Sequence, residues 1–160
     1  MLTDYTSYAD IRAALGISDE DLEDATLALP LYSDYLTQEL EDIALTLPDT
    51  YATVKAGSTP SAAELRFLTA CQLFATFAVA KQLTAALPLF AAKQVTDGKA
   101  AVQRFDNPYR DTVKNVAEQY DKQRTRLVAA LAAIGTSGKS SVMQKYFSVV
   151  SPASDPVTGS

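Results

Sequence analysis

Apolar positions recur every three or four residues along most of this 160-residue chain, the spacing that places side chains on one face of an α-helix. A short first helix is predicted from Ser7 to Gly16, because a serine side chain caps a first turn and glycine allows a left-handed stop. A second helix is predicted to start at Ser18. Pro30 is predicted either to kink this helix or to begin another one. Its predicted apolar stripe is Leu22, Ala25, Leu29, Tyr32, Leu36, Leu40 and Ile43.

The middle of the chain predicts the central helix of a core. Residues 48–57 are predicted to be a short connection with one or two helical turns. Ser61 and Glu64 then have the spacing of a capping box. The helix that follows is expected to run to about Ala86 and to end at Pro88. Because it is apolar almost all round, it is predicted to be buried. Its apolar positions are Leu65, Phe67, Leu68, Cys71, Phe74, Ala75, Phe77, Ala78 and Leu83.

A last long helix is predicted from Asn107-Pro108 to Gly135. Glu118 and Lys122 lie four residues apart, so they are expected to pair on its outer surface. The face expected to point inward carries Tyr109, Val113, Val116, Tyr120, Leu127, Leu131 and Ile134.

Two segments depart from the helical pattern. Between Phe90 and Phe105, an Asp-Gly pair separates two short runs, which favours a hairpin or a projecting loop. Residues 136–160 are rich in Ser, Gly and Pro yet carry aromatic and β-branched residues, which favours an arm that docks on a partner; the alternative is a frayed terminus. The predicted loop residues are Val95, Asp97, Gly98, Lys99, Val102 and Arg104. The predicted arm residues are Val142, Met143, Tyr146, Phe147, Val149 and Val150.

These patterns together predict an all-α fold. It is expected to be a bundle of about four main helices, with a projecting hairpin-like loop and an extended C-terminal arm. The expected organisation is a helical domain over residues 1–135 followed by the arm over residues 136–160.

Charge is divided unevenly along the chain. Residues 1–50 hold twelve acidic side chains and one basic one, Arg12, whereas residues 51–160 hold seven acidic and thirteen basic ones. A domain with one acidic and one basic surface can attract copies of itself head to tail, and such contacts repeat until a ring closes or a filament grows. The alternative is that the charges only solvate helix faces.

The composition argues against catalysis and metal binding. The chain has no histidine and one cysteine, Cys71, so the usual general base and an ordinary structural zinc site are both missing. Residues 133–140 loosely match a phosphate-binding loop, but they follow a predicted helix instead of a strand. No catalytic residue, cofactor or metal is predicted, the protein is not expected to be an enzyme, and no membrane segment is expected.

Several stretches resemble a known family of viral proteins. Residues 4–12 lead through Ala13-Ala14-Leu15-Gly16 to Ser18-Asp19-Glu20-Asp21-Leu22, and residues 88–93 and 96–100 follow later. Together these stretches resemble the small helical head–tail connector, or adaptor, proteins of tailed bacteriophages. The resemblance covers roughly residues 4–135 in the order of the elements.

This resemblance implies a structural protein of the virion neck, made in the host cytoplasm. Such proteins form a ring, commonly twelvefold, below the portal protein, and they continue the DNA channel towards tail or nozzle proteins. The C-terminal arm is expected to engage the portal, and DNA is expected to pass without specific binding. Two alternatives stay open: a tail-completion or terminator protein of the same neck, and a small cytosolic helical regulator that binds a protein partner.

Overall fold

A computed structural model describes residues 1–86 and 110–137 of the chain. Every regular element in these two ranges is helical, which confirms the predicted all-α class. The elements are a 3₁₀ turn at Leu2–Asp4, α1 at Tyr8–Leu15, α2 at Asp24–Leu27, α3 at Pro30–Glu41, α4 at Leu47–Ala56, α5 at Ala62–Leu83, a 3₁₀ turn at Thr84–Ala86, and α6 at Arg110–Ser137.

The first helix begins and ends where the sequence predicts. The Ser7 hydroxyl accepts a hydrogen bond of 3.1 Å from the backbone amide of Asp10, which satisfies one of the free donors of the first turn. Gly16 adopts a left-handed conformation with φ of 68°, and this conformation strains residues that carry a Cβ atom. Ile11 and Leu15 on α1 are buried in the core.

The prediction of a helix from Ser18 is wrong. The Ser18 hydroxyl donates to the Asp21 carboxylate at 2.9 Å, and the residues between them form a turn. A serine side chain bonded in this way competes with helix formation instead of starting a helix. The next helix, α2, spans only four residues. Pro30 then begins α3, one of the two outcomes predicted for it.

This break also changes the predicted apolar stripe. Leu36 and Leu40 on α3 are fully buried as predicted, whereas Ala25 and Leu29 are exposed. Before Pro30 the core is filled by Leu22 and by Leu27, a residue that the stripe omitted. Residues spaced three or four apart share one face only if they belong to the same unbroken helix. The predicted stripe therefore cannot extend across the break.

The segment predicted as a connection forms a ten-residue helix, α4. Tyr51 and Val54 on α4 are buried. The Tyr51 ring stacks on Tyr5 at 4.4 Å between centroids, and its hydroxyl donates to the carbonyl of Asp4 at 2.8 Å. This packing against the N-terminal turn stabilises a helix longer than local preference alone predicts.

Helix α5 is the centre of the core, as predicted. Ser61 and Glu64 form the predicted capping box: the amide of Ser61 donates to the Glu64 carboxylate at 2.7 Å, and the amide of Glu64 donates to the Ser61 hydroxyl at 3.3 Å. Phe67, Cys71 and Phe74 are fully buried, and α5 contacts α1, α3, α4 and α6. Helix α5 is also long and apolar enough, by length and composition alone, to cross a membrane.

Helix α6 packs along α5 in the opposite direction. Phe74 on α5 meets Tyr120 on α6, whereas Ala63 near the start of α5 lies beside Ala133 near the end of α6. Helix α6 continues through Gly135, its predicted end, to Ser137. Its inward face carries Val116, Tyr120 and Leu127, all buried, and Leu131 and Ile134, both partly buried.

The outer surface of α6 carries an ion pair, but its partners differ from the predicted ones. Glu118 pairs with Lys114 at 3.8 Å, one turn before it, and not with Lys122, one turn after it. Both lysines are four residues from Glu118 and lie on the same face of the helix. Spacing alone therefore does not decide between them.

Candidate partner-binding surfaces

The predicted partner segments lie outside the described residues. All six predicted loop residues fall within residues 87–109, and all six predicted arm residues fall within residues 138–160. The surfaces that the structure does describe are an acidic one on the first half of the chain and a basic, partly apolar one on α5 and α6.

The acidic surface is built from the first three helices and their connections. Arg12 is the one basic residue of the first fifty, and it is used internally. Its Nε atom donates to the carbonyl of Leu22 at 2.7 Å, and its guanidinium also pairs with Asp24. The other carboxylates around this turn, those of Asp19, Glu20 and Glu23, are exposed and form no ion pair within residues 1–86 and 110–137.

Helix α3 carries an exposed row that we call the acidic ridge, formed by Leu31, Asp34, Gln38 and Glu41. These positions are three or four residues apart, so they share one face of the helix. All four are exposed, and Leu31 keeps 60% of its surface accessible. Leu29, just before α3, is 50% exposed. The ridge therefore combines apolar surface with two carboxylates.

A groove runs between α5 and α6, which belong to the half of the chain where basic side chains outnumber acidic ones. Its volume is about 620 Å³. The groove exists because small side chains line the helix–helix contact and leave space that larger ones would fill. Its lining residues are Ala63, Leu65, Arg66, Thr69, Ala70, Leu73, Gln123, Arg126, Ala129, Ala130 and Ala133.

The groove is apolar along its floor and cationic at two positions. Leu65 and Leu73 are 52% and 38% exposed, which is unusual for leucines on the most buried helix of a domain. Arg66 and Arg126 are exposed, and neither forms an ion pair with any residue in the described ranges. We call this feature the arginine groove.

Gln123 is a nearly buried polar residue of the arginine groove. It is only 4% exposed, and its side-chain oxygen accepts a hydrogen bond of 3.4 Å from Arg126. This hydrogen bond joins two groove residues that lie one turn apart on α6.

A polar cluster joins α3, α5 and α6 beside this surface. The Tyr120 hydroxyl donates to the Glu39 carboxylate, and the Lys81 ammonium lies 3.7 Å above the centre of the Tyr120 ring. Burial, followed by the hydrogen bond to Glu39, raises the pKa of Tyr120 to about 12. Burial and Glu39 raise the pKa of Tyr35 as well.

These groups are poorly suited to acid–base or nucleophilic chemistry. A general base or nucleophile needs a pKa matched to the working pH, whereas the tyrosines of this cluster stay protonated at pH 7. Burial raises the pKa of Cys71 to about 12, so this thiol is not an activated nucleophile. No group of three or more His, Cys, Asp or Glu side chains that would suit a metal ion occurs within residues 1–86 and 110–137.

The first five residues of the stretch that resembles a phosphate-binding loop, residues 133–137, are part of α6. Their backbone amides therefore point along a helix and do not form a cradle after a strand. The last three residues of the stretch, residues 138–140, lie outside the described residues.

Sequence reasoning missed the arginine groove. A signal was present: small residues recur on one face of each helix, at Ala63 and Ala70 on α5 and at Ala129, Ala130 and Ala133 on α6. A stripe of alanines is also typical of close helix packing, so the stripe alone does not predict that a groove lies along the contact between α5 and α6.

In comparisons with known proteins, no family model, no curated protein and no solved structure matches this chain. The function is therefore inferred from the residues and surfaces described above.

Proposed function

We propose that this chain is the structural head-to-tail adaptor of a tailed bacteriophage. In this proposal, copies form a ring below the portal, join the capsid to the tail and continue the DNA channel. The observation that carries it is the separation of an acidic surface on the first three helices from a basic, partly apolar surface on α5 and α6. Unlike surfaces on one chain favour repeated head-to-tail contact, which either closes into a ring or grows into a filament, and the proposed adaptor uses the closed form.

The proposal also rests on the helical scaffold and on the residues that resemble connector proteins. The second half of the chain supplies the two segments assigned to partners, the predicted loop and the predicted arm. In the proposed assembly the arm fastens each copy to the portal, and the loop reaches tail or nozzle proteins. Backbone hydrogen bonds and burial of the apolar arm residues would provide the attachment energy.

Portal attachment tests the role of the arm. A chain that ends at Ser140 lacks all six arm residues, and a matched control that ends at Ser154 keeps them. With purified portal rings from the same phage, we expect the full chain and the control to co-sediment with portal, and the shorter chain to stay in solution. Circular dichroism should show that both truncated chains remain helical. Attachment of the chain that ends at Ser140 would contradict this role.

The number of bound copies separates the adaptor from the cytosolic regulator. Light scattering on the full chain with and without portal gives the mass of each complex. An adaptor predicts many copies on each portal ring, whereas a regulator predicts a small complex of fixed size with another partner. A single copy on each portal ring would contradict the adaptor.

We further propose that the ring conducts DNA without retaining it. Each copy carries a formal net charge of −5, and a negative lining repels phosphates over about 10 Å at 0.1 M salt. Helix α6 carries five exposed basic side chains but also Asp111, Glu118 and Asp121, so it is not a purely cationic strip. Duplex DNA is expected to pass through the assembled ring, and tight, salt-sensitive binding of DNA would contradict the proposal.

A further inference from the structure

We infer that the arginine groove receives the acidic ridge of a second copy of this chain. This inference deepens the proposed function and rests on it, because it names the two surfaces that join neighbouring copies in the ring. It concerns contacts between adjacent copies and not attachment to portal, which is assigned to residues 138–160.

The apolar parts of the two surfaces match in kind. Leu31 of the acidic ridge and the neighbouring Leu29 present half or more of their surface to solvent. The alanines of the groove provide a shallow apolar channel, with Leu65 and Leu73 at its side. Burial of apolar area stabilises such a contact, and an amphipathic helix laid in an apolar groove is a common mode of recognition.

The charges also match. Arg66 and Arg126 have no ion-pair partner in the described parts of the chain, and the same holds for Asp34 and Glu41 on the ridge. A guanidinium forms two parallel hydrogen bonds with a carboxylate when the geometry permits. Opposite charges on the two surfaces favour contact between unlike faces and oppose contact between two ridges or two grooves.

The two surfaces lie on different helices, so the contact is heterologous. The described residues that line the groove come from α5 and α6, and the ridge belongs to α3. The acidic ridge consists of four residues on one helix, so its contact is expected to bury less than the roughly 1,200 Å² of a specific stable interface. A single contact is therefore expected to be weak, and closure on a portal ring, where bound copies are concentrated, would stabilise it.

Cross-linking between copies tests the inference directly. One preparation of the full chain carries Ala130→Cys in the groove, and another carries Leu31→Cys on the ridge. The native Cys71 is fully buried, so it should not compete for a short bismaleimide cross-linker. Ala52→Cys, an exposed position on α4, replaces Ala130→Cys in the control mixture.

We expect the Ala130→Cys and Leu31→Cys mixture to give several-fold more cross-linked heterodimer than the control mixture at low salt. Arg126→Glu added to the groove copy should reduce this yield to the control level, whereas Arg124→Glu, an exposed residue outside the groove, should not. Equal yields from the test and control mixtures would overturn the inference.

Other occupants give different outcomes, and each would overturn the inference. If residues 138–160 of the same copy fill the groove, Ala130→Cys should react slowly with a small maleimide in the full chain and faster in a chain that ends at Ser137. If an unrelated helix fills it, Ala130→Cys reacts rapidly in both chains and the heterodimer does not form.

The failure of this inference and the failure of the adaptor proposal are distinguishable. A chain that fills portal rings without the heterodimer cross-link retains the proposed function but uses other surfaces between copies. A chain that gives the cross-link but never binds portal keeps the inferred contact and loses the adaptor function.

Discussion

At the scale of single residues, the cluster around Tyr120 links three helices that are distant in sequence. Glu39 comes from α3, Lys81 from α5 and Tyr120 from α6. Charge-assisted hydrogen bonds are stronger than neutral ones, and an ammonium above an aromatic ring adds a favourable electrostatic contact. The position of α3 against the α5–α6 pair depends in part on this cluster and in part on the buried leucines of α3, Leu36 and Leu40.

Removal of one hydroxyl tests that dependence. Tyr120→Phe is expected to lower the free energy of unfolding by about 1–2 kcal/mol, because Glu39 loses its charge-assisted hydrogen bond while the ring remains. The matched control is Tyr32→Phe on α3, whose hydroxyl forms no hydrogen bond within the described residues. Urea unfolding measures both variants, and equal stability of the two would contradict the role of Tyr120.

Alkaline pH provides a second test at this scale. Tyr5 and Tyr120 each have a folded-state pKa raised from 10.0 to about 12, mainly by burial. A raised pKa stabilises the fold fully below the unfolded value and loses that contribution as pH rises through the folded value. Stability is therefore expected to fall between pH 10 and pH 12, less steeply for Tyr120→Phe. An unchanged slope in Tyr120→Phe would contradict this assignment.

At the scale of helices, the sequence predicted a helix end correctly where that end is set by a side chain or a glycine or proline at the same place in the sequence. Ser7, Gly16, Pro30 and the Ser61–Glu64 box act as predicted. The region from Ser18 was mispredicted because serine followed by three acidic residues suits a turn as well as a helix start. The length of α4 could not be predicted either, since it depends on contacts with Tyr5 and Asp4, about fifty residues away.

The capping box of α5 gives a prediction for a single helix end. Ser61→Ala removes the acceptor for the Glu64 amide and is expected to cost about 1 kcal/mol of stability. Ser58→Ala is the matched control, because Ser58 is exposed and precedes the helix. Thermal unfolding compares the two variants. A Ser61→Ala protein as stable as the Ser58→Ala protein would show that the cap contributes little.

The candidate site was only partly predictable for a physical reason. Charge can be counted along a sequence, so the acidic and basic halves were visible before the structure. A groove depends on how the side chains of two helices pack together, and this packing involves every side chain at their contact. Alanines such as Ala70 and Ala130 are compatible both with close packing and with a groove, so their positions in the sequence do not distinguish the two.

At the scale of the whole molecule, the acidic ridge and the arginine groove lie on different helices of one chain. In the proposed assembly, a weak contact between neighbours and a separate attachment to portal would together produce cooperative assembly, because each bound copy would raise the effective concentration for the next contact. The contact between neighbours should weaken as salt rises, since exposed charges contribute to it.

Exchange of charge between the two surfaces tests this claim most directly. Four forms are compared: the native chain, Asp34→Arg with Glu41→Arg, Arg66→Glu with Arg126→Glu, and the chain with all four changes. Native mass spectrometry with limiting amounts of each form counts the copies on each portal ring. For the native chain and the fourfold variant, we expect portal rings that carry either a full set of copies or none, with few intermediates. For the two double variants, we expect a broad range of partly filled portal rings. The same distribution for all four forms would contradict the account.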